Sequence, residues 1–388
     1  QHHHATGSGA VIMDFSLSEE QTALKDTLAK FIERDYSFDD RWKVIRTPEG
    51  WSRAHWNQLA EIGLMALPVA EADGGLGGGG VDTMVVMEQI GRGLVLEPYL
   101  GCVLVPAALI KAAATDAQRA ALCEGLASGE TLYAFAHTEP GQRYERASVS
   151  LAATANGAGY TLSGKKISVL GGDCADTLIV SAVIAGDAEA SLFLVPANAE
   201  GVTRHAYPMQ DAQRGADIEF ANVSVGADAL LGGRGKAQDA IEYALDVGCA
   251  ALCAEAVGAM TELQKITVEY LKTRKQFGRA LGTNQALQHR AVDMMMHVEM
   301  SRSMALEAAV AVENSDAAAR AKAVSAAKTL IGQGCRFVGQ NAVQLHGGIG
   351  VTHELNASHY FKRLAMINAT FGDTDWHLAR YGDSLLAA

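Results

Sequence analysis

Proline is scarce in this sequence, 7 in 388 residues, which leaves long stretches without a helix breaker. Cysteine is scarce too. The 6 present (Cys102, Cys123, Cys174, Cys249, Cys253, Cys335) form no CxxC and no metal-ligand spacing. That excludes a zinc ribbon or a disulfide scaffold and reads as reduced thiols in a cytoplasmic protein. Lys and Arg number 32 against 44 Asp and Glu, and the net charge of −12 leaves no basic face for nucleic acid. No apolar run approaches the roughly 18 residues that a membrane-crossing helix needs. Charged residues make up 20% and apolar ones 49%. That balance excludes disorder and describes a compact, helix-rich chain long enough for two or three domains.

Residues 1–12, with His2, His3 and His4 before a Gly/Ser/Ala stretch, read as an expression tag, so the native chain is expected from Met13. Residues 13–130 carry helical spacing. Ser18 and Gln21 form a capping box ahead of a helix to about Asp35, and further helical patterns cover 51–64, 81–93 and 103–128. The glycine cluster at 74–80 follows no strand and precedes no Lys-Ser/Thr, so it is not a phosphate loop. From Thr131 the period shortens to 2. Short β-rich runs at 132–136, 148–151, 160–162, 177–183, 191–195 and 218–220 predict a small barrel or sandwich over 131–236. Helical spacing returns in 237–388, in runs at 237–273, 285–314, 317–345 and 360–370. Short loops between them predict an antiparallel four-helix bundle. Met294, Met295 and Met296 read as core filler. The expected fold is thus multidomain α+β: an N-terminal α-helical domain, a middle β-barrel or sandwich and a C-terminal bundle.

Three segments point to chemistry. Gln344-Leu345-His346-Gly347-Gly348-Ile349-Gly350 ends a long Ala-rich run in paired glycines, which let backbone press against a flat or phosphorylated ligand. Farther on, Phe371-Gly372-Asp373-Thr374-Asp375 makes a polar turn with clustered carboxylates. A backbone-approach site followed by such a turn suits a cofactor enzyme that abstracts a proton. Between the first two bundle runs lies Arg274-Lys275-Gln276-Phe277-Gly278-Arg279-Ala280-Leu281-Gly282, then Asn284-Gln285. Its guanidinium is suited to bidentate contact with phosphate.

These motifs resemble the acyl-CoA dehydrogenase family, whose members carry Q-x-H-G-G-x-G, a later Y-E-G-T turn and R-x-x-F-G-x-x-L/I…Q. His137-Thr138-Glu139-Pro140-Gly141 is similar to the family's T-E-P-G, and the segment from Gly164 to Gly171 stands where relatives have G-x-K-x-W-I-T-N. The resemblance covers the chain after the tag. It implies FAD held across a subunit boundary, with Arg274 at the pyrophosphate, Phe277 near the adenosine, and Gln285, Gln344, Gly347 and Gly348 on the cofactor. It places Thr138, Ser168 and Thr374 in the same cofactor set. It further implies α,β-desaturation of an acyl-CoA thioester, electrons passed to an electron-transfer flavoprotein, and a dimer or tetramer.

The sequence departs from the family at the base. Ungapped alignment sets Gly372 where the catalytic Glu stands, and Gly248 where some relatives place it on the first bundle helix. Asp373, one position on, is the expected base, with Glu255 as a more distant alternative. Ser168 replaces a Trp, Leu170 replaces a Thr, and Asp246-Val247-Gly248-Cys249 lacks the Arg with which relatives reach CoA. The turn resembles a subgroup that works in unlike pairs, such as the small subunit of pimeloyl-CoA dehydrogenase and the paired dehydrogenases of bacterial steroid breakdown. Three expectations follow: an acyl-CoA dehydrogenase, alone or as one half of a pair with a second such subunit; an inactive partner subunit; or a flavin monooxygenase or oxidase of the same fold.

Overall fold

The computed structural model describes residues 16–386; the expected tag lies outside them. α1 (Glu19–Asp35) opens with the capping box read from sequence, Gln21 N donating to Ser18 Oγ (3.1 Å) and Ser18 N to Gln21 Oε1 (3.0 Å). Then come α2 (Phe38–Ile45), α3 (Arg53–Ile62), α4 (Gly80–Gly93), α5 (Val105–Ala113) and α6 (Asp116–Ser128). Two of these differ from expectation. α2, at 8 residues, is too short for a helical period to register. The run at 103–128 breaks in two because Ala114 turns extended (ψ 145°) and the Thr115 side chain caps α6 by accepting from Gln118 N. A π-helical turn, Leu100–Leu104, leads into α5.

The middle domain is one sheet: β1 (Tyr133–Ala136), β2 (Ala152–Ala155), β3 (Gly159–Leu170), β4 (Thr177–Ile184), β5 (Ser191–Pro196), β6 (Val202–Pro208), β7 (Arg214–Gly226) and β8 (Leu230–Leu231). The order is β6-β7-β3-β2-β4-β5-β8, with β1 parallel to β4. It closes over its own core, which includes Leu162, Leu178, Val180, Phe193 and Ile218. β6 escaped the sequence reading because it is an edge strand with no buried residue, so it shows no apolar alternation. The expected strand at 148–151 lies one step on, at β2, whose register β3 sets from Ala152↔Ser163 to Ala155↔Tyr160.

The C-terminal helices are α7 (Gln238–Thr273), α8 (Gln285–Ala311), α9 (Ala317–His346), α10 (Asn356–Ala369) and α11 (Thr374–Leu386). α7 is the spine. Among the described residues it is the one helix long and apolar enough to cross a membrane, and 89% of that window is buried inside the protein. This corrects the sequence reading, in which the small Ala, Cys and Gly side chains of α7 did not register as one apolar run. α4 crosses α7 backbone to backbone: a Cβ at Gly91 would lie 1.9 Å from the Glu255 carbonyl oxygen, and one at Gly258 1.9 Å from that of Glu88. The three consecutive methionines do not share a face. Met294 is buried, whereas Met295 and Met296 are 46% and 53% exposed, as successive residues on a helix must diverge.

A buried ion cluster joins the three domains. Arg363 on α10 donates to Glu255 on α7 (2.6 and 2.7 Å) and to Asp211 of the middle domain (2.8 Å). Arg41 on α2 reaches the Asp211 carbonyl (3.4 Å) and approaches His359 Nδ1 (3.0 Å). Glu255 is thereby committed to holding the domains together.

Candidate active site

Where the three domains meet lies a cavity of about 300 Å³, walled by Gly101 and Val105, by Phe135, His137 and Thr138, by residues 142–146 and 167–170, and by Leu245, Met366 and Phe371. Thr138 sits just past β1. The turn it occupies is pinned to β3 by Ile167 N donating to the Thr138 carbonyl (2.8 Å). Beneath it Lys166, fully buried, donates to Glu139 Oε1 (2.7 Å), the His137 carbonyl (3.1 Å) and Ser181 Oγ (3.0 Å). Glu139 also accepts from the Ser150 and Leu151 amides and the Ser150 hydroxyl. Burial lowers Lys166 to about 8 against the pull of Glu139. Burial alone would raise Glu139, but the Lys166 hydrogen bond and those from Ser150 and Leu151 hold it below the ordinary range. Sequence reasoning singled out neither partner of this clamp, which requires knowing that β1 and β3 are neighbours.

Ser168 reaches the cavity through an irregularity in β3. The β3–β7 register shifts between Lys166 and Val169, Ser168 takes φ 52°, and its amide donates to Asp217 Oδ1 (3.1 Å). The structure thus brings Thr138 and Ser168 into one wall.

The opposite wall carries Phe371 in a left-handed conformation, φ 59°, held by its surroundings. Its carbonyl accepts from His377 Nε2 (3.2 Å), and the Gly372 carbonyl accepts from buried Lys328 (3.0 Å), which also closes α10 at Ile367 (2.7 Å) and Asn368 (3.1 Å). A nitrogen that donates to a carbonyl carries the proton, so His377 Nδ1 is the acceptor for Ser325 Oγ (3.1 Å). The imidazole is neutral, pushed down to about 2 by burial and then by Lys328, Arg146 and Arg380.

Both family positions for the base are sealed. A Cβ at Gly372, where φ is 116°, would meet Trp376 Cε3 at 2.6 Å and His377 Nε2 at 2.7 Å; one at Gly248 would meet the Phe371 ring at 2.8 Å. Asp373 is not in the cavity lining. Its Oδ1 accepts from Trp376 N (2.9 Å) and caps α11, the helix that sequence reasoning took for a polar turn. Thr374 is likewise set apart, its hydroxyl donating to Asn368 Oδ1 (2.9 Å).

Residues 142–146 line the cavity, and the segment is anchored beyond it. Arg146 donates to Glu242 and Asp246 (2.8 Å each) and packs over Trp376, as Arg380 does on the same ring. Arg320 adds a third guanidinium at Asp246 (3.3 Å). Although burial opposes it, Arg146 and Arg380 hold Asp246 below the ordinary carboxylate range.

The remaining site residues gather elsewhere, at one end of the helical bundle. Arg274, Phe277 and Gln285 lie on the turn between α7 and α8, and Gln344, Gly347 and Gly348 at the end of α9; all are exposed, and none lines the cavity. The Tyr270 ring lies 4.5 Å from that of His346 and brings the two segments side by side. Phe277 is 101% exposed at φ 53°. An added Cβ at Gly347 or Gly348 would meet nothing within 4 Å, and only Gly347 has a positive φ (64°). Neither packing nor backbone conformation within this chain therefore demands glycine at 348.

Comparison with known proteins matches each domain in turn: the acyl-CoA dehydrogenase N-terminal domain over residues 18–130, the middle domain over 134–223 and the C-terminal domain over 238–386. The chain belongs to the acyl-CoA dehydrogenase family. It is 27% identical to probable acyl-CoA dehydrogenase YngJ of Bacillus subtilis, across 94% of this chain and 97% of that one. It is 30% identical to acyl-CoA dehydrogenase IpdE2 of Mycobacterium tuberculosis, across 89% and 91%. Among solved structures, a Tcur3481-Tcur3483 steroid ACAD variant superposes with a TM-score of 0.86 at 30% identity, covering 95% of this chain and 98% of that chain. The N-terminal helices, middle sheet and C-terminal bundle are thus the family's fold, as expected.

Proposed function

We propose that the chain is a subunit of an FAD-dependent enzyme that desaturates an acyl-CoA thioester between its α and β carbons and passes the electrons to an electron-transfer flavoprotein. The observation that carries this reading is a site in two separated halves. The cavity holds Thr138 and Ser168; the exposed bundle end holds Arg274, Phe277, Gln285, Gln344, Gly347 and Gly348. Such halves complete one another only when a second subunit brings its bundle end to the first subunit's cavity, in a dimer or tetramer.

The residues fit FAD. A cavity with apolar walls at Val105, Phe135, Leu170 and Phe371 that also carries the Thr138 and Ser168 hydroxyls suits a flat ring with one polar edge, Arg274 suits a pyrophosphate, and Gly348 leaves open the surface along which a backbone can follow a ligand. FAD, once bound, supplies the acceptor for the β-hydride. Thr138 and Ser168 would orient the ring edge, Phe277 would meet the adenosine, Gln285 and Gln344 would hold the cofactor at the bundle end, and Thr374 would steady the turn at Phe371. The steroid ACAD relative favours a steroid-derived acyl chain as substrate.

The α-proton needs a carboxylate, and there are two ways to supply it. On the first reading Asp373 is the base, using the oxygen that does not cap α11. A second reading, favoured by the sealed glycines 372 and 248, is a paired assembly in which an unlike acyl-CoA dehydrogenase subunit brings the base and this chain brings the FAD contacts.

Anaerobic mixing with acyl-CoA separates them. On the first reading the yellow chain alone is bleached, and Asp373→Asn abolishes bleaching while FAD stays bound. On the second, bleaching appears only after a base-bearing subunit is added, and Asp373→Asn changes nothing. In both, Gly348→Val leaves the fold intact and releases FAD. A chain that takes up no FAD, alone or paired, overturns both readings.

A further inference from the structure

Two thiols from different domains meet at the edge of the cavity. Cys102, in the π-helical turn before α5, and Cys174, in the turn between β3 and β4, both donate to the Gly171 carbonyl oxygen, at 3.9 and 3.5 Å. The approach is close because glycines face it: a Cβ at Gly171 would lie 2.3 Å from Cys102 Sγ, and one at Gly101 2.9 Å from Leu170. Gly101 and Leu170 line the active-site cavity, so the two thiols sit directly behind its wall. Cys102 is 1% exposed. Cys174 is partly exposed and opens onto a smaller neighbouring cavity of about 40 Å³. Both are free. Hydrogen bonding with Cys174, then burial, pushes the Cys102 thiol well above its ordinary range, so Cys174 is the sulfur a peroxide oxidises first.

We propose that Cys102 and Cys174 are an oxidisable pair, in which a peroxide oxidises Cys174 and Cys102 resolves it into a disulfide that ties the N-terminal domain to the cavity wall. In the first step the Cys174 sulfur takes one oxygen of the peroxide, the O–O bond breaks and water leaves, giving a sulfenic acid. In the second, the Cys102 sulfur attacks that sulfur, an S–S bond forms, the S–O bond breaks, and a second water carries off the Cys102 proton. Two thiols and one hydrogen peroxide become one disulfide and two waters, a two-electron oxidation. The bond would close across Gly171 and fix Leu170, so that the oxidation state of the pair sets how freely the two domains part at the cavity.

The test treats the whole chain with hydrogen peroxide, unfolds it in denaturant to alkylate the remaining thiols, digests without reductant and maps the peptides. The expected result is a peptide pair linked through Cys102 and Cys174, four of the 6 thiols still alkylated, and a thermal midpoint raised by several degrees that dithiothreitol reverses. Cys174→Ser should lose both the link and the rise in midpoint. Cys174 carried on to sulfinic acid while Cys102 stays alkylatable, a link through other cysteines, or no loss of thiols would overturn the proposal.

Discussion

Adding one methyl group at Gly372 should destabilise the chain severely, and the cost can be worked out from the structure. Alanine there must adopt φ 116°, a region left almost entirely to glycine, at about 1–3 kcal/mol. Its Cβ would lie 2.6 Å from Trp376 Cε3 and 2.7 Å from His377 Nε2. Neither ring can give way. His377 is tied to Ser325 and the Phe371 carbonyl, and Trp376 carries the Arg146 and Arg380 guanidinia. Overpacking against fixed neighbours adds about 1–3 kcal/mol, and the stiffer unfolded chain returns about 0.4–1 kcal/mol. The net is a loss of roughly 2–5 kcal/mol, about 2–6 °C in midpoint, because an unfolding entropy of about 2.1 cal/mol/K per residue over 388 residues makes 1 kcal/mol worth about 1.2 °C. Thermal unfolding at matched scan rate measures it. For the same reason Gly372→Glu should not install a working base: it carries the same Cβ and gains no turnover. A Gly372→Ala midpoint within about 1 °C of the parent, or turnover gained by Gly372→Glu, would refute the claim that this position is sealed.

Two further outcomes follow from buried charge. Arg363→Met leaves Glu255 and Asp211 buried without their shared guanidinium and should cost about 3–5 kcal/mol in denaturant unfolding; a loss below about 1 kcal/mol would mean the cluster does not join the domains. Acid should weaken the fold through His137 and His377, which burial pushes down to about 3 and about 2. Both are neutral in the native state and take up a proton on unfolding once the pH is below about 6.5. Their contribution is therefore complete above that pH and is lost as pH falls toward 3, at about 1.4 kcal/mol per histidine per pH unit. His377→Asn should flatten the pH profile between pH 6 and 4, and an unchanged slope would show that His377 is not the group responsible.

Fold class, the order of domains and the family's motifs were legible in the chain itself, because each rests on neighbours in sequence. The Ser18–Gln21 cap, the change of period at Thr131 and the Arg274 and Gln344 segments need no knowledge of what packs against them. The elements that escaped were short or edge-placed, such as α2 and β6, or began with polar residues, such as α11. Tertiary structure alone decided the rest. It made Asp373 the cap of a helix, committed Glu255 to Arg363, buried Lys166 against Glu139, and closed the spaces beside Gly372 and Gly248. It also set Cys102 and Cys174 on one carbonyl. Each of these depends on contacts between residues far apart in the chain, and whether a carboxylate serves as cap, clamp or base is fixed by what surrounds it in space.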